Sequence, residues 1–173
     1  MSPADARALI AHPSLSAGPP QTWADLGCGD GTFTVALATE LPSGSVVHAM
    51  DTDARAIARM PSAGAGAEII AHLGDFTQFP WPFADVDGVL MANSLHYVRD
   101  QETFLRRCLA QMRRPRLLLV EYDTDRANAW VPCPVNYASA VALATMLGLR
   151  GVTPLGRRRS VYRRAEIYAV LCE

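Results

Sequence analysis

Residues 23–31 read Trp-Ala-Asp-Leu-Gly-Cys-Gly-Asp-Gly, and no other stretch restricts the fold as strongly. A short apolar run ends at Asp25-Leu26, and glycines follow at alternate positions 27, 29 and 31. Residues 32–37 (Thr-Phe-Thr-Val-Ala-Leu) then resume a helical composition. Glycine reaches backbone conformations closed to other residues, so it suits a turn this tight and lets a ligand lie against the main chain. A strand that passes through such a turn straight into a helix is the opening of a βαβ unit.

The rest of the chain repeats that alternation. Strands are expected over residues 22–26, 45–50, 68–73, 86–91 and 116–120, and helices over 32–40, 54–60, 100–113 and 137–147. Asp53 is placed to cap the helix at 54–60 by accepting free first-turn N–H groups. Residues 74–83 hold two prolines and several aromatics, which excludes a regular helix. Residues 150–154 and 166–171 read as two final strands joined by a hairpin about residues 157–160. Seven strands with helices between the first five predict an α/β fold: a doubly wound, mostly parallel sheet with helices on both faces. Residues 1–20, with a helix over 4–11, form an N-terminal segment that packs over the ligand-binding edge of the sheet or frays. Residues 21–173 form a single domain.

Bulk properties narrow the class. A chain of 173 residues, 50% apolar and 19% charged, has the balance of a folded domain with a real core. Its longest apolar runs are of strand length, so none spans a bilayer, and no secretory signal opens the chain. A cytoplasmic protein is expected. Cys28, Cys108, Cys133 and Cys172 have neither zinc-site spacing nor disulfide density and read as reduced thiols. His12, His48 and His72 show no ligand spacing, so no metal is expected. The formal net charge of −1 makes no global case for nucleic acid.

In a doubly wound sheet, ligands bind outside the carboxyl ends of the strands. The informative residues fall at those ends: Asp25 and the glycine turn, Asp51, Gly74-Asp75-Phe76, and Asn93 through Tyr97. Asp51 can accept hydrogen bonds from both hydroxyls of a ribose, and it follows the glycine turn at the expected distance. Asp75 can accept from an adenine amine while Phe76 packs on the base. A dinucleotide fingerprint, Gly-x-Gly-x-x-Gly, would need glycine where Thr32 stands. Asp25 ahead of the turn would not help bind a pyrophosphate, but it suits the ammonium of an amino acid. The expected cofactor contacts are Asp25, Gly27, Cys28, Gly29, Gly31, Asp51, Thr52, Asp75, Phe76 and Asn93.

These features resemble the class I S-adenosylmethionine-dependent methyltransferases. Residues 24–32 look like the family's first motif, 48–51 like its ribose-binding acidic motif, and 74–76 like its adenine-contacting motif. Residues 85–98 look like the fourth-strand motif of its small-molecule branch. The resemblance implies strand order 3-2-1-4-5-7-6 with strand 7 antiparallel, S-adenosylmethionine as cofactor, and methyl transfer to an O or N atom of a small molecule. The chain departs from the family in being short, in lacking a clear helix between strands 3 and 4, and in having no cap domain. His96 is the candidate general base, since histidine side chains as a class titrate near neutrality. Tyr97, Trp130 and Tyr137 are candidates to line the acceptor site. Arg157–Arg159 with Arg163 and Arg164 form a basic patch, readable as a solvated hairpin or as a site for an acidic acceptor or RNA phosphate. Rival readings are an RNA or protein methyltransferase and a non-catalytic nucleoside-binding regulatory module. A nicotinamide oxidoreductase comes last.

Overall fold

The computed structural model describes residues 1–64, 66–160 and 166–173. The apolar runs become β1 (Thr22–Leu26), β2 (Ser45–Asp51), β3 (Ala67–Leu73), β4 (Gly88–Ala92), β5 (Leu117–Tyr122), β6 (Val152–Arg159) and β7 (Glu166–Cys172). They form one sheet in the order β3-β2-β1-β4-β5-β7-β6. Pairs from β3 through β5 are parallel, whereas β7 runs antiparallel to both β5 and β6. Chain progression reverses between β1 and β4, which opens a crevice above their carboxyl ends. The doubly wound fold, the strand order and the antiparallel seventh strand all match expectation.

Among the described residues, six helices flank the sheet: α1 (Pro3–Ile10), α2 (Pro13–Ser16), α3 (Thr32–Glu40), α4 (Ala54–Ile57), α5 (Gln101–Leu109) and α6 (Tyr137–Met146). Because strand side chains alternate faces, each strand feeds two cores. Leu26, Met91, Leu119 and Val170 pack on one face with Phe104 and Leu105 of α5 and Leu143 of α6. Trp23, Leu90, Val120 and Ala169 pack on the other with Leu9 and Ile10 of α1 and Leu37 of α3. The N-terminal helix is therefore part of a core. Asp53 caps α4 as expected, its Oδ1 accepting from the N–H groups of Arg55 and Ala56 at 2.8 and 3.2 Å. Asn136 caps α6 and Asp100 caps α5.

Three local expectations change. The helices expected over 54–60 and 100–113 end at Ile57 and Leu109, and Arg157–Arg159 lie in β6, not in the hairpin turn. β6 is an edge strand, where arginines on an open margin face water at little cost, so a charged run there does not mark a turn. Arg163 and Arg164 lie outside the described residues. Among the described residues, no helix is long and apolar enough to cross a membrane.

Candidate active site

The turn after β1 is built by backbone hydrogen bonds to its neighbouring strand. The N–H groups of Gly27 and Cys28 donate to the Met50 carbonyl at 2.8 and 3.1 Å, tying the turn to the end of β2. Gly27 has φ +78°, and a Cβ there would lie 2.5 Å from Ser94 Cβ and 3.2 Å from the Phe76 ring. Ser94 cannot retreat freely, because its hydroxyl donates to the Leu26 carbonyl. Gly29, by contrast, has open space where its side chain would be. Gly31, also at positive φ, starts α3 with no side-chain cap, which leaves first-turn amides of that helix available to an anionic group. The Cys28 thiol is buried and its pKa is pushed well above the usual thiol value, first by desolvation and then by Asp25. It stays protonated, and its small size is what the turn uses.

Asp25 is fully buried. One carboxylate oxygen accepts from the Thr34 hydroxyl at 2.6 Å, and the other, Oδ1, has no partner. Burial raises its pKa to about 7 against the stabilising Thr34 hydrogen bond, and the nearby Asp51 charge adds to the rise. Asn93, at φ +55°, also holds a buried and unpartnered Oδ1. Both residues line one open cavity of about 210 Å³, with Gly27, Cys28, Thr32, Phe33 and Met1 among its other walls. Two unpartnered acceptors on residues that line one cavity suit a ligand group rich in hydrogen-bond donors, since a buried polar atom without a partner costs free energy.

At the tip of β2, Asp51 joins two loops. Its Oδ2 accepts from the Gly29 N–H at 2.8 Å and its Oδ1 from the Asp53 N–H at 2.9 Å. Each oxygen keeps a second lone pair, so the carboxylate can still receive hydroxyls. Thr52 beside it is exposed. Asp75 is exposed too, and its Oδ1 is engaged by the N–H and hydroxyl of Thr77, the hydroxyl contributing most to a lowered pKa. Phe76 wedges between Gly27 and Phe104, meeting the latter edge-on at 5.7 Å. His48 and His72 meet across β2 and β3, Nδ1 to Nε2 at 3.0 Å, with His48 stacked on Phe83. No sequence spacing announced that pair, because parallel strand register alone creates it.

The tips of β4 and β5 carry a buried imidazole–carboxylate pair. His96 sits in a 3-10 turn over Leu95–Tyr97, and its Nδ1 lies 2.6 Å from Glu121 Oε2. The other carboxylate oxygen accepts the His96 backbone N–H at 3.2 Å. Both residues are almost fully buried. Glu121 had one legible sign, an acid closing the otherwise apolar run Leu117–Val120. A carboxylate on Nδ1 holds the proton there and leaves Nε2 as the basic nitrogen. Tyr97 is 56% exposed and its ring lies 4.4 Å from that of His96. Trp130 is 69% exposed, in a loop whose Cys133 N–H donates to the His96 carbonyl. Tyr137 is placed differently, between the Arg157 guanidinium at 5.0 Å and Tyr168 at 5.5 Å. Arg157 itself pairs with Asp123 and Glu166, and Arg158 with Asp5.

Residues 24–115, more than half of the chain, match the family described as "Methyltransferase domain". The chain therefore belongs to the methyltransferase domain family. An uncharacterized methyltransferase of Mycobacterium tuberculosis is 35% identical over 83 residues, which are 48% of this chain and 41% of that protein. The chain thus covers less than half the length of that relative. Among solved structures, a SAM-dependent methyltransferase from Methanosarcina mazei superposes with a TM-score of 0.68 at 14% identity, covering 95% of this chain and 98% of the other. The N-terminal domain of EvdMO1, crystallised in the presence of SAH and D-fucose, superposes with a TM-score of 0.65 at 17% identity, covering 100% and 83%.

Proposed function

We propose that this chain is an S-adenosylmethionine-dependent methyltransferase acting on an O or N atom of a small molecule. The observation that carries the reading is the pair of orphaned acceptors, Asp25 Oδ1 and Asn93 Oδ1, converging on the cavity beside the glycine turn. They match the ammonium end of the cofactor, the open face at Gly29 admits its body, and Asp51 is free to receive ribose hydroxyls. When bound, the cofactor supplies an activated methyl group on a sulfonium. The residues of the chain then have to orient the two reactants and exclude water. Calorimetry with S-adenosylmethionine, S-adenosylhomocysteine and NAD tests the reading, and tighter binding of NAD would overturn it.

Asp51→Ala is expected to weaken adenosylhomocysteine binding by about 1–3 kcal/mol, roughly 5- to 150-fold, through lost ribose hydrogen bonds and a loosened Gly29 amide. Titration calorimetry checks this, and an unchanged affinity removes Asp51 from the site.

His96 is the base of the proposed reaction. Glu121 fixes its tautomer, and the acceptor proton moves to Nε2. His96→Gln is expected to lower kcat by about 10²- to 10⁴-fold with cofactor affinity retained. Steady-state rates with any accepted substrate check it. A rate within twofold of the parent would return His96 to a packing role.

The ion pairs at β6 favour a small acceptor over RNA, because Arg157 and Arg158 already answer carboxylates of the same chain. A regulatory nucleoside-binding module remains distinguishable by an acceptor screen with labelled methyl donor, in which it would transfer nothing.

A further inference from the structure

The acceptor side of the crevice is chemically distinctive. Tyr97 lies against the His96 ring and is largely exposed, and the half-buried Tyr122 ring lies 6.2 Å from that of His96. Trp130 stands three residues from Cys133, so its Cα lies within about 11 Å of the residue that hydrogen-bonds the His96 carbonyl. The Gln101 side chain pins the same strap by donating to the Cys133 carbonyl at 2.8 Å. Val131 anchors it in the interior at 2% exposure, while its neighbour Trp130 is left at 69%. The exposed Tyr97 ring beside a buried base, with the exposed Trp130 on a pinned loop, offers a surface for a flat apolar partner.

We infer that the methyl acceptor is a hydroxyaromatic small molecule, seated on the Tyr97, Tyr122 and Trp130 rings with its hydroxyl directed at the His96–Glu121 pair. The inference rests on the methyltransferase reading and narrows it.

Acidity points the same way as shape. A phenolic hydroxyl ionises near pH 10, as tyrosine does, whereas an unactivated hydroxyl such as that of water ionises near 15.7. Imidazole bases as a class titrate near neutrality, so they bridge the first gap far better than the second. In the transfer, the phenolic oxygen bonds to the methyl carbon as the carbon–sulfur bond breaks and sulfur keeps the electron pair. The phenolic proton passes to His96 Nε2, and Glu121 balances the resulting imidazolium.

The test uses the full chain with S-adenosylhomocysteine and three probes: 4-nitrophenol, cyclohexanol and benzoate. Binding of each probe is read by titration calorimetry. Saturable binding of 4-nitrophenol is expected, with weaker binding of the other two. Tyr97→Ala and Trp130→Ala are each expected to weaken nitrophenol binding about three- to tenfold by calorimetry, with adenosylhomocysteine affinity unchanged. The absorbance titration of bound nitrophenol should be displaced from that of the free probe, and His96→Gln should abolish the displacement. Cyclohexanol or benzoate binding as tightly as nitrophenol overturns the inference, as does indifference of nitrophenol to both ring substitutions. Adenosylhomocysteine bound without nitrophenol defeats the acceptor class alone, whereas failure to bind adenosylhomocysteine defeats the methyltransferase reading itself.

Discussion

Asp25→Asn is expected to make the ligand-free protein more stable above pH 7 and, at the same time, a much poorer binder of S-adenosylmethionine. The carboxyl is neutral in the folded chain until about pH 7, against an ordinary value of 3.8. The unfolded chain gives up that proton first, so between these two values the native state binds more protons. The stability contribution of the neutral acid is therefore complete below pH 3.8, lost as pH rises to 7, and constant beyond. Asparagine keeps an acceptor for Thr34 and carries no charge to desolvate. Its advantage should grow across that window to a few kcal/mol and then level off. Urea unfolding at pH 5 and pH 8 measures it.

The cost appears on the ligand. Removing one member of a buried charge pair costs about 2–5 kcal/mol, so the affinity of the Asn variant should fall by roughly two to three orders of magnitude. The native protein should release a proton on binding at pH 5.5, less as pH passes 7, and the variant none. Calorimetry in buffers of different ionisation enthalpy reads this directly. Proton release that survives in the variant would place the titrating group elsewhere. Asp25 thus destabilises the empty fold in order to meet a cation, which is the usual sign of a binding site.

Gly27→Ala should be the most damaging single change in the turn. The added methyl would stand 2.5 Å from Ser94 Cβ on a backbone at φ +78°, and Ser94 is held by the Leu26 carbonyl. Left-handed strain of about 1–2 kcal/mol plus overpacking of about 1–3 kcal/mol predicts a combined loss of about 2–5 kcal/mol. Adenosylhomocysteine binding should be lost with it, because the clash pushes β4 away from the turn. Gly31→Ala is the control. Its methyl would meet the Met60 sulfur at 2.5 Å, the far end of a flexible side chain that can swing aside. That variant should lose only the backbone term and keep binding. Equal losses in urea unfolding would show that backbone strain, not the Ser94 contact, decides both.

Much of the architecture was legible because its signals are local. The strand–turn–helix at residues 22–40 is read correctly to both ends, since a buried parallel strand, a glycine turn and a helical run each show in a few residues. Asp53 as a cap and residues 74–83 as irregular backbone follow from the same short-range chemistry. β6 was misjudged because edge strands obey solvent, not periodicity, and Arg157–Arg159 face water along an open margin. Glu121 was passed over because an acid at the end of an apolar strand gains meaning only from what lies opposite.

The glycine turn and the carboxylates at the tips of β1 and β2 were determined by the sequence, because each depends on side chains adjacent in the chain, whereas the strand order followed only from the resemblance to a known family. Tertiary structure alone decided that Asp25 and Asn93, 68 residues apart, would share one cavity with orphaned oxygens. It also decided that Glu121 would grip His96, that Tyr137 would lie between Arg157 and Tyr168, and that Arg157 and Arg158 of β6 would form ion pairs. The physical reason is the same in each case: burial and partnership are properties of surfaces brought together by the sheet, and β1, β4 and β5 become neighbours only when it closes.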